Sequence, residues 1–136
     1  MPTYLDFEKE IKAGKVRSVY YVMALDNYFI SRASAVLREK LFGSAENKEN
    51  FFLRYGDESS VDEILDLCNN FSSLFSTAKV LVVKRCEKLF KKFSELEEYS
   101  NKPDKDTTLL LCFDKEFVIE KKINKNIAFY DFSLST

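Results

Sequence analysis

The sequence predicts an α/β fold in three layers, a mostly parallel sheet of about five strands with helices on both faces. Helical patterns alternate along the chain with short apolar runs, which is the order of strand–helix–strand units. The apolar runs are nearly continuous, which indicates strands that are buried on both faces. At 136 residues the chain has the size of one domain, and we expect a single domain over residues 1–136.

Periodicity and turn residues place four elements in the first half of the chain. Phe7 and Ile11 stand four residues apart and Gly14 follows them, the pattern of a short helix with a glycine stop. Asp26 precedes apolar residues at helical spacing and is expected to cap the helix N-terminus. The predicted elements are a helix over 4–13, a strand within 16–24, a helix from 26 to about 43 and a strand over 51–55.

The second half of the chain contains the clearest helical pattern. Ser60 and Glu63 have the S-x-x-E spacing of a capping box, and apolar residues follow at i, i+3, i+4 and i+7. A long helix is predicted from about Cys86 to Tyr99, and Pro103 after it prevents the helix from continuing. The predicted strands of this half cover residues 79–84, 107–113 and 126–130.

Composition excludes several classes of function. The 21 Lys and Arg residues are balanced by 22 Asp and Glu residues, whereas a domain that binds duplex DNA through its phosphates carries a basic excess. Because the sequence contains no histidine, Ser-His-Asp and Cys-His catalysis are excluded and the commonest metal ligand is missing. No metal site is therefore expected.

The apolar segments indicate a cytoplasmic protein. None approaches the roughly 20 residues that cross a bilayer, and the first residues do not form a signal peptide. Cys68, Cys86 and Cys112 are widely spaced within apolar segments. We interpret them as buried thiols of a reducing compartment.

The first strand-to-helix turn is where such a fold would hold a nucleotide. This turn runs from Met23 to Tyr28 and lacks the G-x-x-x-x-G-K-[ST] motif, whose amides and lysine bind phosphates. Asp26 would repel a phosphate group at this position. Nucleotide hydrolysis by this domain is therefore not expected, and no catalytic residue or cofactor is predicted.

Two charged clusters are interpreted as solvated surface. The basic cluster falls near one face of the predicted long helix, and a solvated face is favoured over contact with DNA or an acidic partner. The acidic cluster fits the preference of helix N-termini for carboxylates. The members are Lys84, Arg85, Lys88, Lys91 and Lys92 in the basic cluster, and Asp57, Glu58, Asp62, Glu63 and Asp66 in the acidic one.

Leu74 and Phe75 lie in a run of small polar residues that is typical of a connection. Connections run over the surface, yet burying one such side chain is worth roughly 1.5–3 kcal/mol. The pair therefore either folds back over the core as a plug or anchors a partner interface. The residues alone favour the plug.

Three segments in order carry a family resemblance: residues 19–30, residues 60–65 followed by 73–84, and Pro103 leading into 107–113. Together they resemble the N-terminal domain of the delta subunit of bacterial DNA polymerase III, the clamp-loader subunit that opens the sliding clamp. The likeness covers essentially the whole chain. Its most specific part is Leu74–Phe75 followed by a strand.

The resemblance implies a domain like those of P-loop NTPases and AAA+ ATPases, but without the phosphate loop. It implies that Leu74 and Phe75, with Phe71 and Ser73 beside them, bind the β sliding clamp, and that the domain helps to open the ring without hydrolysing ATP. The family contacts other loader subunits through a lid and a C-terminal collar domain, which are absent from these residues. Contact with DNA is expected only indirectly, and none with a membrane.

One departure from the family and one alternative function remain. Ala24 stands where many relatives have glycine after the first strand, which affects the local turn. The alternative is a small nucleotide- or metabolite-binding α/β enzyme that uses the carboxyl edge of the sheet, with Asp26 and Asp57 as acid/base groups.

Overall fold

Five strands form one parallel sheet in the computed structural model, which describes residues 2–47, 49–70, 78–89, 92–113 and 125–133. The order across the sheet places the second strand at one edge and the fifth at the other, and every neighbouring pair is parallel. The predicted parallel sheet is confirmed. The strands are β1 (Val19–Met23), β2 (Phe51–Tyr55), β3 (Lys79–Lys84), β4 (Thr107–Phe113) and β5 (Ile127–Asp131), in the spatial order β2-β3-β4-β1-β5.

Helices cover both faces of the sheet, which confirms the three predicted layers. The helices are α1 (Tyr4–Lys12), α2 (Asn27–Phe42), α3 (Val61–Asn70) and α4 (Phe93–Tyr99), with a short 3-10 turn over Cys86–Lys88. The core under α1 and α2 contains Tyr20 and Val22 of β1, and the core under α3 and α4 contains Val19 and Tyr21. Among these described helices, none is long and apolar enough to cross a membrane.

The strand order explains why the helices divide between the two faces. The connection through α2 carries the chain from β1 past β4 and β3 to the edge at β2. The connections through α3 and α4 then return one strand at a time in the opposite direction. Because parallel crossovers are right-handed, reversing the direction of travel moves the connecting helix to the other face.

The caps that the sequence predicts are present at three helix ends. The carboxylate of Asp26 accepts the Tyr28 N–H at 2.9 Å, and the Ser60 hydroxyl accepts the Glu63 N–H at 3.1 Å. Gly43 ends α2 with a φ of +83°, a left-handed conformation that glycine adopts without strain.

The predicted long helix from Cys86 to Tyr99 is wrong. The 3-10 turn ends at Lys88, and Leu89 has a φ of −93° and a ψ of 62°, which is not helical. Lys92 has a φ of 62° directly before α4. Left-handed backbone does not continue a right-handed helix, so the segment is divided even though Leu89 and Leu96 share one core.

The three cysteines are free thiols and all are buried, as predicted. Cys112 belongs to the core under α1 and α2. Cys68 and Cys86 belong to the core under α3 and α4. Each thiol therefore behaves as a small apolar side chain within its layer.

Gly56 lies at a close approach between two backbones. Its N–H donates to the Lys84 carbonyl at 2.7 Å. A Cβ atom at Gly56 would lie 2.1 Å from the carbonyl oxygen of Arg85. Since that oxygen belongs to the backbone at the end of β3, no side-chain rotation can make room for a larger residue.

We expect Gly56→Ala to lower the free energy of unfolding by about 2–3 kcal/mol, because the β3 end must move to admit the methyl group. Urea unfolding of both proteins measures the change. Gly43→Ala is the matched control: its Cβ meets nothing within 4 Å, and only the left-handed φ opposes it, at about 1 kcal/mol. An equal or smaller loss for Gly56→Ala would contradict this close packing.

Candidate functional site

The predicted site residues, Phe71, Ser73, Leu74 and Phe75, lie outside the residues that the structure describes. Both attachment points of their segment are described. Helix α3 ends at Asn70, and β3 begins at Lys79. Because β3 starts there, these attachment points lie at the amino edge of the parallel sheet.

A buried lysine joins the two attachment points. The Lys79 side chain donates from its ammonium group to the carbonyl oxygens of Leu67 at 2.7 Å and Cys68 at 3.1 Å. Both carbonyls belong to the last turn of α3, where backbone acceptors lack partners within the helix. A cation at this end also interacts favourably with the helix dipole. The lysine therefore ties the end of α3 to the start of β3.

The strands on either side of β3 hold the same region. The Lys79 N–H donates to the Asp106 carbonyl at 2.9 Å. The side-chain amide of Asn50, which is buried, donates to the Ala78 carbonyl at 3.1 Å. The Thr107 hydroxyl oxygen lies 3.1 Å from the Cys68 carbonyl oxygen. The start of β3 is thus bonded to the chain before β2 on one side and to the chain before β4 on the other.

A groove of about 380 Å³ lies at the opposite, carboxyl edge of the sheet, between the turn after β1 and the ends of β2 and β3. Its two cations contact the protein's own groups. The Lys84 ammonium donates to the Asn27 side-chain oxygen. The Arg85 guanidinium pairs with the Asp57 carboxylate at 3.0 Å and lies 5.4 Å from the centre of the Tyr55 ring. These contacts join the turn after β1, β2 and β3 where a nucleotide would be expected.

The two carboxylates of the alternative enzyme function have separate surroundings. Asp26 lines the groove and caps α2. Asp57 is not among the groove-lining residues and pairs with Arg85. Within the described part of the chain, no group of three or more Cys, Asp or Glu side chains is placed to hold a metal ion. Each of the two carboxylates is therefore engaged in a structural contact of its own, Asp26 with the start of α2 and Asp57 with Arg85.

The basic cluster does not form one helical face, which corrects the prediction. Lys84 is the last residue of β3 and Lys88 belongs to the 3-10 turn; Lys91 lies outside the described residues. Lys92, directly before α4, pairs with Asp62 in the first turn of α3 at 3.1 Å. With the Arg85–Asp57 pair, this contact shows that the basic cluster is partly neutralised by the acidic cluster.

The sheet order and the helices on both faces define a three-layer α/β domain with a parallel sheet, and its first strand-to-helix turn carries no phosphate loop. The structure is similar to the Bacillus subtilis DNA clamp loader delta protein, with a TM-score of 0.79 and 21% identity over 96% of this chain and 42% of that chain. It is also similar to a Thermotoga maritima DNA polymerase III gamma subunit-related protein, with a TM-score of 0.65 and 15% identity over 98% of this chain and 47% of that one.

These comparisons confirm the predicted resemblance at the level of the fold. The chain spans less than half the length of either structure. No protein-family model matches the chain, and no curated protein matches its sequence.

Burial of the Cys68 thiol makes the free energy of unfolding depend on pH. It raises the pKa of this thiol to about 12, whereas the thiol of an unfolded chain titrates near 8.5. The unfolded state therefore loses its proton at a lower pH than the folded state does. The contribution to stability is complete below about pH 8.5 and is lost as pH rises towards 12.

We expect the free energy of unfolding to fall between pH 9 and pH 11 by up to about 1.4 kcal/mol per pH unit from Cys68 alone. Urea unfolding at pH 7.5, 9, 10 and 11 measures this slope. Cys68→Ala removes the titrating thiol, so the variant should show a shallower decline. The same decline in both proteins would show that Cys68 does not titrate as its burial requires.

Proposed function

We propose that this chain is the clamp-binding domain of a DNA clamp-loader delta subunit. In this role it docks on the β sliding clamp and helps to open the ring during DNA replication. The observation that carries the proposal is the similarity to the Bacillus subtilis delta protein, a TM-score of 0.79 over 96% of this chain. The position of Leu74 and Phe75 between α3 and β3 supports it.

The proposed contact uses apolar anchors on a rigid support. Leu74 and Phe75 enter an apolar pocket of the clamp, where a few central residues supply most of the affinity. Phe71 and Ser73 contact the rim of that pocket. The fixed attachment of the segment at Lys79 reduces the ordering that binding requires.

The proposed mechanism uses binding energy and no hydrolysis in this domain. The turn after β1 has no phosphate-binding motif, and Lys84 and Arg85 contact Asn27 and Asp57. In this proposal ATP is hydrolysed by other loader subunits. Contact with DNA is indirect, and the protein acts in the cytoplasm.

We expect Leu74→Ala combined with Phe75→Ala to weaken clamp binding by at least about 100-fold, since the variant loses the two side chains that the clamp pocket would bury. The melting temperature should change by less than about 3 °C, because surface substitutions alter stability little. Isothermal titration of the purified β clamp from the same organism, together with a thermal melt, measures both quantities.

The matched control is Leu25→Ala combined with Tyr28→Ala. This pair is also a leucine and an aromatic residue, 71% and 60% exposed, but it lies at the carboxyl edge of the sheet. The control should bind the clamp like the wild type. A large drop in melting temperature on changing Leu74 and Phe75 would instead show that they plug the core, and equal loss in both double variants would contradict a specific site.

A further inference from the structure

We propose that Lys79 is a positioning residue for clamp binding, because its ammonium group fixes the end of α3 against the start of β3. It thereby sets the separation and direction of the two chain ends that present Leu74 and Phe75. The role in clamp binding rests on the proposed function. The local ordering by Lys79 rests on described contacts alone.

Burial of Lys79 is the first support for this inference. Lys79 is only 3% exposed. A buried ammonium group is tolerated only where it is hydrogen-bonded. The ammonium group donates to the carbonyl oxygens of Leu67 and Cys68. These are main-chain atoms, so the lysine constrains the path of the backbone and not merely the packing of side chains.

The position of the contact in the chain is the second support. The last turn of α3 and the first residue of β3 are the two ends of residues 71–78. A cross-link between the ends of a short segment removes conformations that the segment would otherwise sample. Fewer conformations mean a smaller entropy cost when the segment docks on a partner.

A second contact converges on the same carbonyl. The Thr107 hydroxyl oxygen lies 3.1 Å from the Cys68 carbonyl oxygen and 2.7 Å from the Asp104 carboxylate. Thr107 is the first residue of β4, the strand beside β3. The end of α3 is thus held from two adjacent strands, and Lys79 supplies the contact that reaches Leu67 as well.

We expect Lys79→Met to weaken binding of the purified β clamp by about tenfold, because the end of α3 and the start of β3 are then no longer tied together and docking must fix their separation. Lys79→Arg keeps the charge and the donors and should bind more tightly than Lys79→Met. Ile11→Val is the stability control: Ile11 is buried under the opposite face of the sheet. The clamp affinity of each variant is measured at the same number of degrees below that variant's melting temperature, so that differences in stability do not affect the comparison.

Thiol labelling provides a second readout that needs no clamp. Cys68, Cys86 and Cys112 are all buried, so each labels only when its surroundings open. In Lys79→Met we expect iodoacetamide to modify Cys68 at least about tenfold faster, with Cys86 and Cys112 unchanged. Peptide mass spectrometry separates the three sites. Thr107→Val serves as a milder second variant if Lys79→Met folds poorly.

The outcomes separate the inference from the proposed function. Weaker clamp binding with selective labelling of Cys68 supports both. Wild-type affinity in Lys79→Met, or an equal loss in Ile11→Val, overturns the positioning role. If the wild type does not bind the clamp, both the proposed function and the positioning role of Lys79 are wrong. The labelling rate of Cys68 then still tests whether Lys79 holds the end of α3 in place.

The link to the apolar pair is tested by combining variants. In the background of Leu74→Ala and Phe75→Ala, Lys79→Met should leave any residual clamp binding unchanged, because it acts through those side chains. A further loss in that background would show that Lys79 contributes to binding by another route and would contradict the inference.

Discussion

Burial of β3 and β4 on both faces is the constraint on which the rest of the structure depends. Val80 and Val82 of β3 belong to the core under α1 and α2, while Leu81 and Val83 belong to the core under α3 and α4. A strand that is apolar on both sides must be covered twice. The helices α1 and α2 on one face and α3 and α4 on the other meet that requirement, and the strand order with right-handed crossovers divides them between the faces.

The same constraint separates the two edges of the sheet. Among the described elements, connections from helix to strand arrive at the amino edge, where Lys79 and Asn50 hold the chain as it enters β3. The described connections from strand to helix leave at the carboxyl edge, where Lys84 and Arg85 contact neighbouring elements. The described residues therefore form an amino edge at which Lys79 ties the end of α3 to the start of β3, and a carboxyl edge at which Lys84 and Arg85 contact the protein's own groups.

Sequence reasoning predicted what depends on local pattern and missed what depends on contacts between distant residues. The strand over 79–84 and the Asp26 cap are confirmed, because hydropathy and capping chemistry act within a few residues. The long helix is wrong because nothing local distinguishes Lys92 as left-handed. Lys79 was missed because a lysine is expected in solvent, and its burial is compensated by carbonyls 11 and 12 residues earlier. The proposed anchors, Leu74 and Phe75, lie outside the described residues and stay a prediction.

A domain that opens a ring by binding needs stiffness as much as affinity. In the proposed role, force would enter the domain through α3 and β3, which share the core that contains Ile64 and Leu81. If the two elements moved independently, binding energy would be spent on deforming this domain and not the clamp. The contacts of Lys79 with the end of α3 and with the Asp106 carbonyl couple the helix to the sheet at the point of attachment. In the proposed role, a buried lysine that looks costly in isolation thus gives the apolar pair a rigid base.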